Sequence, residues 1–389
     1  MSERVDAGRP GRRWLTWAPV SVLDQTLPVR ATAGVRFPLL VFAVWRVLHA
    51  IAVLAVGGSL RGTTFATDGG WYLSILRQGY VAPESYDQFS NVAFFPGLAW
   101  ATQAVQFVVR SETAATLLVA NGLALAAFVA VWGAVRAWAG EDMARRATVA
   151  LALFPTSYFL WMYYTEALFV TATAAAVWAG RRERHTLAAV FLAVASTTRL
   201  VGVTVGPALA LARIVRLRRV DSVSVRYVIG SLVGLAAVMA RQAVETGDPL
   251  GWLQAGRAWD RQFDGPWTAL YRAAGLIVAE LPGLAGFVIL DLVAVVAVGC
   301  LVVLLWRGVR RGDWPLEPAT VASLLWVVPI CSQLISSQAR YMMACWPALL
   351  VVADAWPRLP RVVRLLGLIV PVAVTVVALR HLSLGAFTG

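Results

Sequence analysis

The stretch TDGGWYLSILRQGY, Thr67 to Tyr80, puts an acid beside two glycines and a short mixed segment. Trp71 and Ile75 lie four apart, as do Tyr72 and Leu76, which suits a helix lying in a membrane interface rather than crossing it. Asp68 stands just before that helix, where a carboxylate is placed to act as a general base. The plain alternative is that Asp68 only caps the helix. Gly69 and Gly70 allow close backbone approach.

Three arginines occupy apolar surroundings: Arg46, Arg199 and Arg340. A charge inside a membrane segment costs at least about 2.5 kcal/mol, so Arg46 and Arg199, within the first and sixth apolar runs, are functional candidates by default, while Arg340 stands at the outer end of another run. Arg199 and Arg340 are candidates for gripping a phosphate, because the planar guanidinium donates bidentately. Their plainer roles are an internal ion pair, with Glu166 the partner of Arg199, and an interface anchor for Arg340. Phe154-Pro155-Thr156-Ser157 and Tyr163-Tyr164-Thr165-Glu166 place a proline, hydroxyls and an acid in a mostly apolar stretch, the makings of a polar cavity. A later loop carries Trp252, Trp259 and Trp267 with Asp248, Asp260 and Asp264, a set that suits sugar stacking or an interfacial aromatic belt.

These residues sit in a chain that water does not suit. Hydrophobic residues make up 59% of the 389 positions and charged residues only 14%, against about 25% charged in a soluble domain. Apolar runs occur at 37–57, 92–109, 114–138, 144–163, 166–180, 186–212, 227–244, 284–306, 319–336, 341–356 and 362–380. Most approach the length needed to cross a ~30 Å hydrocarbon core, and spanning backbone of this kind must be helical. The expected fold is all-α: a polytopic transmembrane helix bundle with an interfacial helix in the first outer loop. A basic tail over 1–36 is read as cytoplasmic rather than as a cleaved signal. The membrane domain is expected over 37–380, with a short tail at 381–389.

The net charge of +13 comes entirely from arginine on the basic side, since the sequence has no lysine. With abundant Ala, Val and Leu, that composition points to a GC-rich bacterial genome. The arginines cluster between apolar runs, which argues for the positive-inside rule and against nucleic-acid binding. The tail, Arg213–Arg226, Arg307–Arg311 and Arg358–Arg364 then face the cytoplasm, leaving loops 58–91 and 245–283 outside. Crossing at every run would strand Arg181–His185 outside. The preferred reading breaks 186–212 at Thr197-Thr198-Arg199 and lets one run between 92 and 163 fail to cross simply. Glu166 and Arg199 then meet near the first outer loop. Cys300, Cys331 and Cys345 lack metal-ligand spacing, the three histidines are scattered, and no P-loop, zincin motif, nucleophile elbow or Rossmann fingerprint is present.

Taken in order, TDGGWYLSILRQGY, FFPG, LFPTSYFLWMYYTEALF, STTRLVGV, GDPLGWLQAGRAW and SSQARYMMACWP resemble the PIG-V-like mannosyltransferases. That family includes the enzyme adding the second mannose in glycosylphosphatidylinositol synthesis, and the resemblance runs from about residue 40 to 350. It implies a GT-C fold, an active site on the non-cytoplasmic side, a polyprenyl-phosphate-mannose donor and inversion at the anomeric carbon. Asp68 matches the acidic residue of the first outer loop, the presumed base. Glu166, Arg199 and Arg340-Tyr341 match polar family positions, and Tyr164, Trp71 and Asp87 join them as expected cavity residues. Family members commonly carry Trp before the acid, where this chain has Thr67.

In an inverting transfer a carboxylate takes the acceptor proton, and positive charge steadies the departing polyprenyl phosphate. No metal or other cofactor is expected, because no DxD-type cluster is present. The expected partners are the lipid-linked donor, a lipid or glycan acceptor and membrane lipids. A transporter or flippase is the rival of a different class, but the paired broken repeats common in transporters are not evident. A non-catalytic subunit is the third reading, under which Asp68 would be dispensable.

Overall fold

The computed structural model describes residues 31–278, 284–333 and 335–385. Among them the regular structure is helical, with one isolated bridge between Phe263 and Ser332. The chain opens with α1 (Ala31–Ala55), two short helices α2 (Leu60–Thr64) and α3 (Gly69–Gln78), and then α4 (Gly97–Gln106). There follow α5 (Glu112–Ala139), α6 (Glu141–Ala152), α7 (Glu166–Arg181), α8 (His185–Ser196), α9 (Gly202–Leu217) and α10 (Ser222–Thr246). After the short α11 (Gly251–Ala255) come α12 (Pro266–Val278), α13 (Leu284–Arg311) and α14 (Leu316–Ile330). The described chain finishes with α15 (Gln338–Met343), α16 (Leu349–Ala355) and α17 (Arg361–Ser383).

Of these, α1, α5, α10, α13 and α17 are long and apolar enough to cross a membrane unbroken. Residues 1–30 of the expected basic tail and 386–389 of the expected C-terminal tail lie outside the described residues. The last residues of the first tail, from Ala31, are helical in α1, and α17 runs to Ser383.

Five of the eleven apolar runs do not form single straight helices: 319–336 stops being α-helical after Ile330, 341–356 is divided among α15, a 3-10 turn and α16, and the other three break as follows. The run 92–109 holds only a 3-10 turn and α4, whose ten residues rise about 15 Å at 1.5 Å each, too little to cross. Both ends of α4 stay on one side of the bundle: Gly97 N–H donates to Thr197 O at 2.8 Å, and Glu112, at the start of α5, pairs with Arg77 of α3 at 2.7 Å. A Cβ on Gly97 would meet that Thr197 oxygen at 2.8 Å, so the FFPG block needs its glycine for this approach. The run 186–212 divides into α8 and α9 around Thr197–Val201. The run 144–163 stops being α-helical after Ala152, ahead of Pro155, which lacks an N–H and crowds the preceding turn. A 3-10 turn at Ser157–Leu160 and further turns carry the buried backbone to Glu166.

These breaks sort the arginines. The Arg181–His185 turn and the Arg213–Arg226 segment meet around Glu317, with Arg181 at 4.0 Å and Arg216 at 3.6 Å. Arg136 and Arg145 share Glu141, and the linkers at Arg307–Arg311 and Arg358–Arg364 close the same end. Loops 58–91 and 245–278 close the other end.

Close helix packing keeps the two ends apart. Gly202 and Gly206 of α9, and Gly230 and Gly234 of α10, form small-xxx-small pairs of the kind that let membrane helices touch backbone to backbone. A Cβ on Gly234 would lie 2.1 Å from Ala193 O of α8, and one on Gly206 would lie 2.3 Å from Tyr227 O of α10. Gly122 of α5 has nothing within 4 Å. Overpacking typically costs about 1–3 kcal/mol, and rigid backbone leaves little room to yield. Gly234→Val is therefore expected to lower the unfolding temperature of the detergent-purified protein by several degrees, while Gly122→Val leaves it within a degree or so. Equal melting of the two variants would show that the close approach carries no stability.

Candidate active site

Asp68 occupies the N-cap position of α3, yet its side chain makes no capping hydrogen bond. The carboxylate points instead across the molecule to Arg340, with Oδ2 accepting from Nη1 at 2.7 Å. Several contacts fix this geometry. Tyr164 Oη accepts the Asp68 backbone N–H at 2.9 Å and shares a short hydrogen bond with Thr67 Oγ1. Tyr163 N–H donates to Thr64 O at 2.8 Å, tying α2 to the irregular segment before α7. Asn91 Nδ2 donates to Ser74 Oγ and Gly79 O, and the Glu245 carboxylate accepts Tyr80 N–H at 2.6 Å, which pins the far end of α3. Gly69 has only ordinary contacts and Gly70 is open, so neither glycine is forced by close backbone approach.

From Asp68 a line of charge runs inward. Arg340 Nε lies 3.2 Å from Glu166 Oε1, and Arg199 Nη2 lies 2.6 Å from the same oxygen. Side-chain exposures are 12% for Asp68, 7% for Arg340, 1% for Glu166 and 14% for Arg199. Four residues from distant parts of the sequence thus form one buried, formally neutral group. Its hydrogen bonding is incomplete: among the described residues, both Glu166 carboxylate oxygens, Arg199 Nε and Arg340 Nε lack an aligned partner. The two contacts at Glu166 are therefore charge contacts by distance rather than well-aimed hydrogen bonds. Arg199 also donates to Thr165 Oγ1 at 2.9 Å.

Aromatic faces surround the guanidiniums. Arg340 lies over Phe159, Tyr164 and Tyr341, at 5.4, 5.2 and 5.1 Å from the ring centres. Arg199 lies over Phe169 and Tyr341. Tyr164 and Tyr341 thus join Asp68, Glu166, Arg199 and Arg340 in one place. Trp71 and Asp87 stand apart from it. Trp71 stacks on Phe94 and meets Trp259 edge-on, forming an aromatic patch that joins the two outer loops. Asp87 is exposed and bonds locally with Ser85. Arg46 makes no ion pair among the described residues; its Nε donates to Asn121 Oδ1 at 2.8 Å and its guanidinium lies over Trp161. Asp248 is engaged in structure, accepting from Tyr86 Oη, Leu250 N–H and Gln254 Nε2.

Two further residues belong to this neighbourhood and were missed by the sequence reading. Arg261 places a third guanidinium on Tyr341, 5.3 Å from the ring centre, and donates to Ser336 O at 3.0 Å. Asp291, on α13 and 4% exposed, accepts the Ala339 N–H at 2.6 Å. That bond holds the turn carrying Arg340, in which Ser337 adopts a left-handed backbone with φ of 68°. A buried carboxylate inside an apolar helix was the available signal for Asp291. Arg261 gave none, since it lies in a polar loop. Among the described residues, no group of three or more His, Cys, Asp and Glu side chains could hold a metal ion.

Losing the Asp291 acceptor leaves a buried backbone N–H unsatisfied, a cost of about 1–3 kcal/mol. Asp291→Ala is expected to lower the unfolding temperature in detergent, and Asp291→Asn, whose amide oxygen can accept the same bond, to recover most of the loss. Identical melting of the Ala and Asn variants would remove that bond from any role in holding Arg340.

No protein-family model matches the chain, and no curated protein matches it. Solved structures do. The Archaeoglobus fulgidus oligosaccharyltransferase in its apo form matches 90% of this chain with a TM-score of 0.56 at 11% identity. This chain spans 56% of that protein's length. ArnT from Cupriavidus metallidurans bound to undecaprenyl phosphate matches 91% of this chain and 78% of its own, with a TM-score of 0.52 at 15% identity. At such identities the likeness is one of fold, and on it this all-helical, multi-pass membrane chain has the GT-C fold of membrane glycosyltransferases.

Proposed function

We propose that this chain is a membrane glycosyltransferase that moves mannose from a polyprenyl-phosphate donor to a hydroxyl of a lipid or glycan acceptor. The observation that carries this reading is the buried group Asp68, Arg340, Glu166 and Arg199 at the end of the bundle away from the arginine clusters. By the positive-inside rule the clustered end meets the cytoplasm, so the group works on the other face of the membrane. The GT-C fold supports the transferase class, and ArnT was solved bound to undecaprenyl phosphate, a carrier of the class invoked here. Mannose rests on the six sequence blocks alone.

In this reaction Asp68 accepts the proton of the acceptor hydroxyl. The oxygen attacks the anomeric carbon from the face opposite the phosphate, and the carbon–oxygen bond to phosphate breaks. Polyprenyl phosphate leaves with the bonding electrons, and its charge is met by Arg199 and Arg340, with Arg261 nearby. Both Nε donors of the first two are free of aligned partners, so an arriving phosphate competes with carboxylates for groups already in place. Glu166 holds the two arginines together rather than reacting. The prenyl chain stays in lipid throughout, and no metal is required.

Removing a positioned general base typically costs 10²–10⁴-fold in rate. Membranes carrying Asp68→Asn at wild-type protein level should therefore transfer radiolabelled mannose from polyprenyl-phosphate-mannose at least about a hundredfold more slowly. Equal transfer by both proteins would take Asp68 out of the reaction. No transfer by either, across several acceptor extracts and other polyprenyl-linked sugars, would favour a transporter or a non-catalytic subunit. Wild-type transfer is also expected to persist in excess EDTA after removal of divalent ions; its abolition, with rescue by added metal, would overturn the metal-free mechanism.

A further inference from the structure

At the end opposite the candidate active site, the α7–α8 turn, α9, α10 and α14 line a cavity of about 200 Å³. Its walls carry Arg181, Arg213, Arg216, His185, Tyr227 and Glu317. Gly180 is part of the design, since a Cβ there would lie 2.8 Å from Tyr227 Oη, which shares a 2.9 Å hydrogen bond with His185 Nδ1.

The charges here are unevenly matched. Arg213 is occupied: Nε and Nη2 both donate to Asp221 Oδ2, at 2.8 and 2.7 Å, and the guanidinium holds the Asp221 carboxyl well below the usual carboxylate range. Arg181 and Arg216 face one carboxylate, Glu317, at 4.0 and 3.6 Å, beyond hydrogen-bonding distance. Neither guanidinium makes a side-chain hydrogen bond among the described residues, although Arg181 is only 22% exposed. Glu183, the other acid of the lining, is exposed at the rim. Two planar forks thus converge on a recess rich in donors, with one loosely held acceptor between them. Guanidinium pairs of this kind match the oxygens of a phosphate.

We infer that this recess is a binding site for a phosphate group, supplied by the headgroup of an anionic phospholipid such as phosphatidylglycerol. It lies between membrane helices at the end where the arginine clusters of the described residues 136–145, 181–226, 307–311 and 358–364 gather, the end that meets the negatively charged cytoplasmic leaflet. The recess is remote from Asp68 and takes no part in sugar transfer.

Native mass spectrometry of the full-length protein, with phosphatidylglycerol titrated against phosphatidylcholine in mixed micelles, tests this. Wild type should retain phosphatidylglycerol in a saturable, selective way, and Arg181→Gln/Arg216→Gln should bind it about tenfold more weakly as charge-assisted hydrogen bonds are lost. Arg307→Gln/Arg310→Gln, which removes exposed arginines outside the recess, should bind as wild type does. Glu317→Gln should bind more tightly, because the competing carboxylate is gone, and misfolding would not produce that gain. Soluble glycerol phosphate displacing the lipid, with the same dependence on the variants, would keep the anion site and make its ligand soluble. Equal retention by wild type and Arg181→Gln/Arg216→Gln, no preference over phosphatidylcholine, or weaker binding by Glu317→Gln would overturn the inference.

Discussion

The buried group of Asp68, Arg340, Glu166 and Arg199 sets the main constraint on this molecule. Each charge costs several kcal/mol to take from water, and each is tolerable only because an opposite charge waits for it. Two carboxylates and two guanidiniums balance, so removing any one would leave a buried charge uncompensated. The four come from the first outer loop, the start of α7, the break between α8 and α9, and α15. The fold must therefore deliver four separate segments to one point. Glu166 gains further from its place in the first turn of α7, where the helix dipole favours negative charge.

That demand explains where regular structure fails. The turns before α7, the Thr197–Val201 break, and the left-handed Ser337 just before α15 all lie at the same end as the charges. Backbone without helical hydrogen bonds survives at membrane depth only when protein or a polar cavity covers it. Here it is covered: Thr156 to Val170 is buried throughout, and Thr156 Oγ1 donates to Ala339 O at 3.0 Å, joining the irregular segment before α7 to α15. Asp291 and Gln242 perform the same service from within helices. Gln242 bonds to Val92 O and to Trp252 N–H, stitching the outer loops to α10. The opposite end, by contrast, is made of helices meeting at capped turns, such as Asp221 on the first turn of α10.

Much of this could be read in advance, and the failures have a common cause. Hydropathy identifies a segment that can sit in lipid, but not whether it goes through. Both runs 92–109 and 186–212 are apolar, yet one stays at a single end and the other runs to that end and turns back at Thr197–Val201. Charge placement points to the break at Thr197–Arg199, which returns Arg181–His185 to the arginine-bearing end, and to a failed crossing between 92 and 163, but it does not say which run fails. Trp71 and Asp87 were grouped with the charges because they share a loop with Asp68. The helical turns of α3 carry Trp71 toward Phe94 and Trp259, and Asp87 remains in solvent. Asp291 broke the same rule that exposed Arg199, a charge within an apolar run, and could have been found by it. Arg261 could not, because only tertiary packing brings its loop to Tyr341.

The absence of lysine matters to how the site is held. A guanidinium has two kinds of surface: faces that stack on aromatic rings and an edge that donates hydrogen bonds. Arg340 packs against the rings of Phe159, Tyr164 and Tyr341, and its edge donates to Asp68 and to Tyr341 Oη with Glu166 beside Nε. Arg199 does the same with Phe169 and Tyr341 on one hand and Glu166 on the other. An ammonium would have no such division, and drawing its hydrogen bonds elsewhere would move the whole charge. With rings packed around each guanidinium, the edges can exchange partners while the charge stays where it is. A ligand anion reaching this group meets donors that need to turn little, and that is the condition under which charge stabilisation costs no reorganisation.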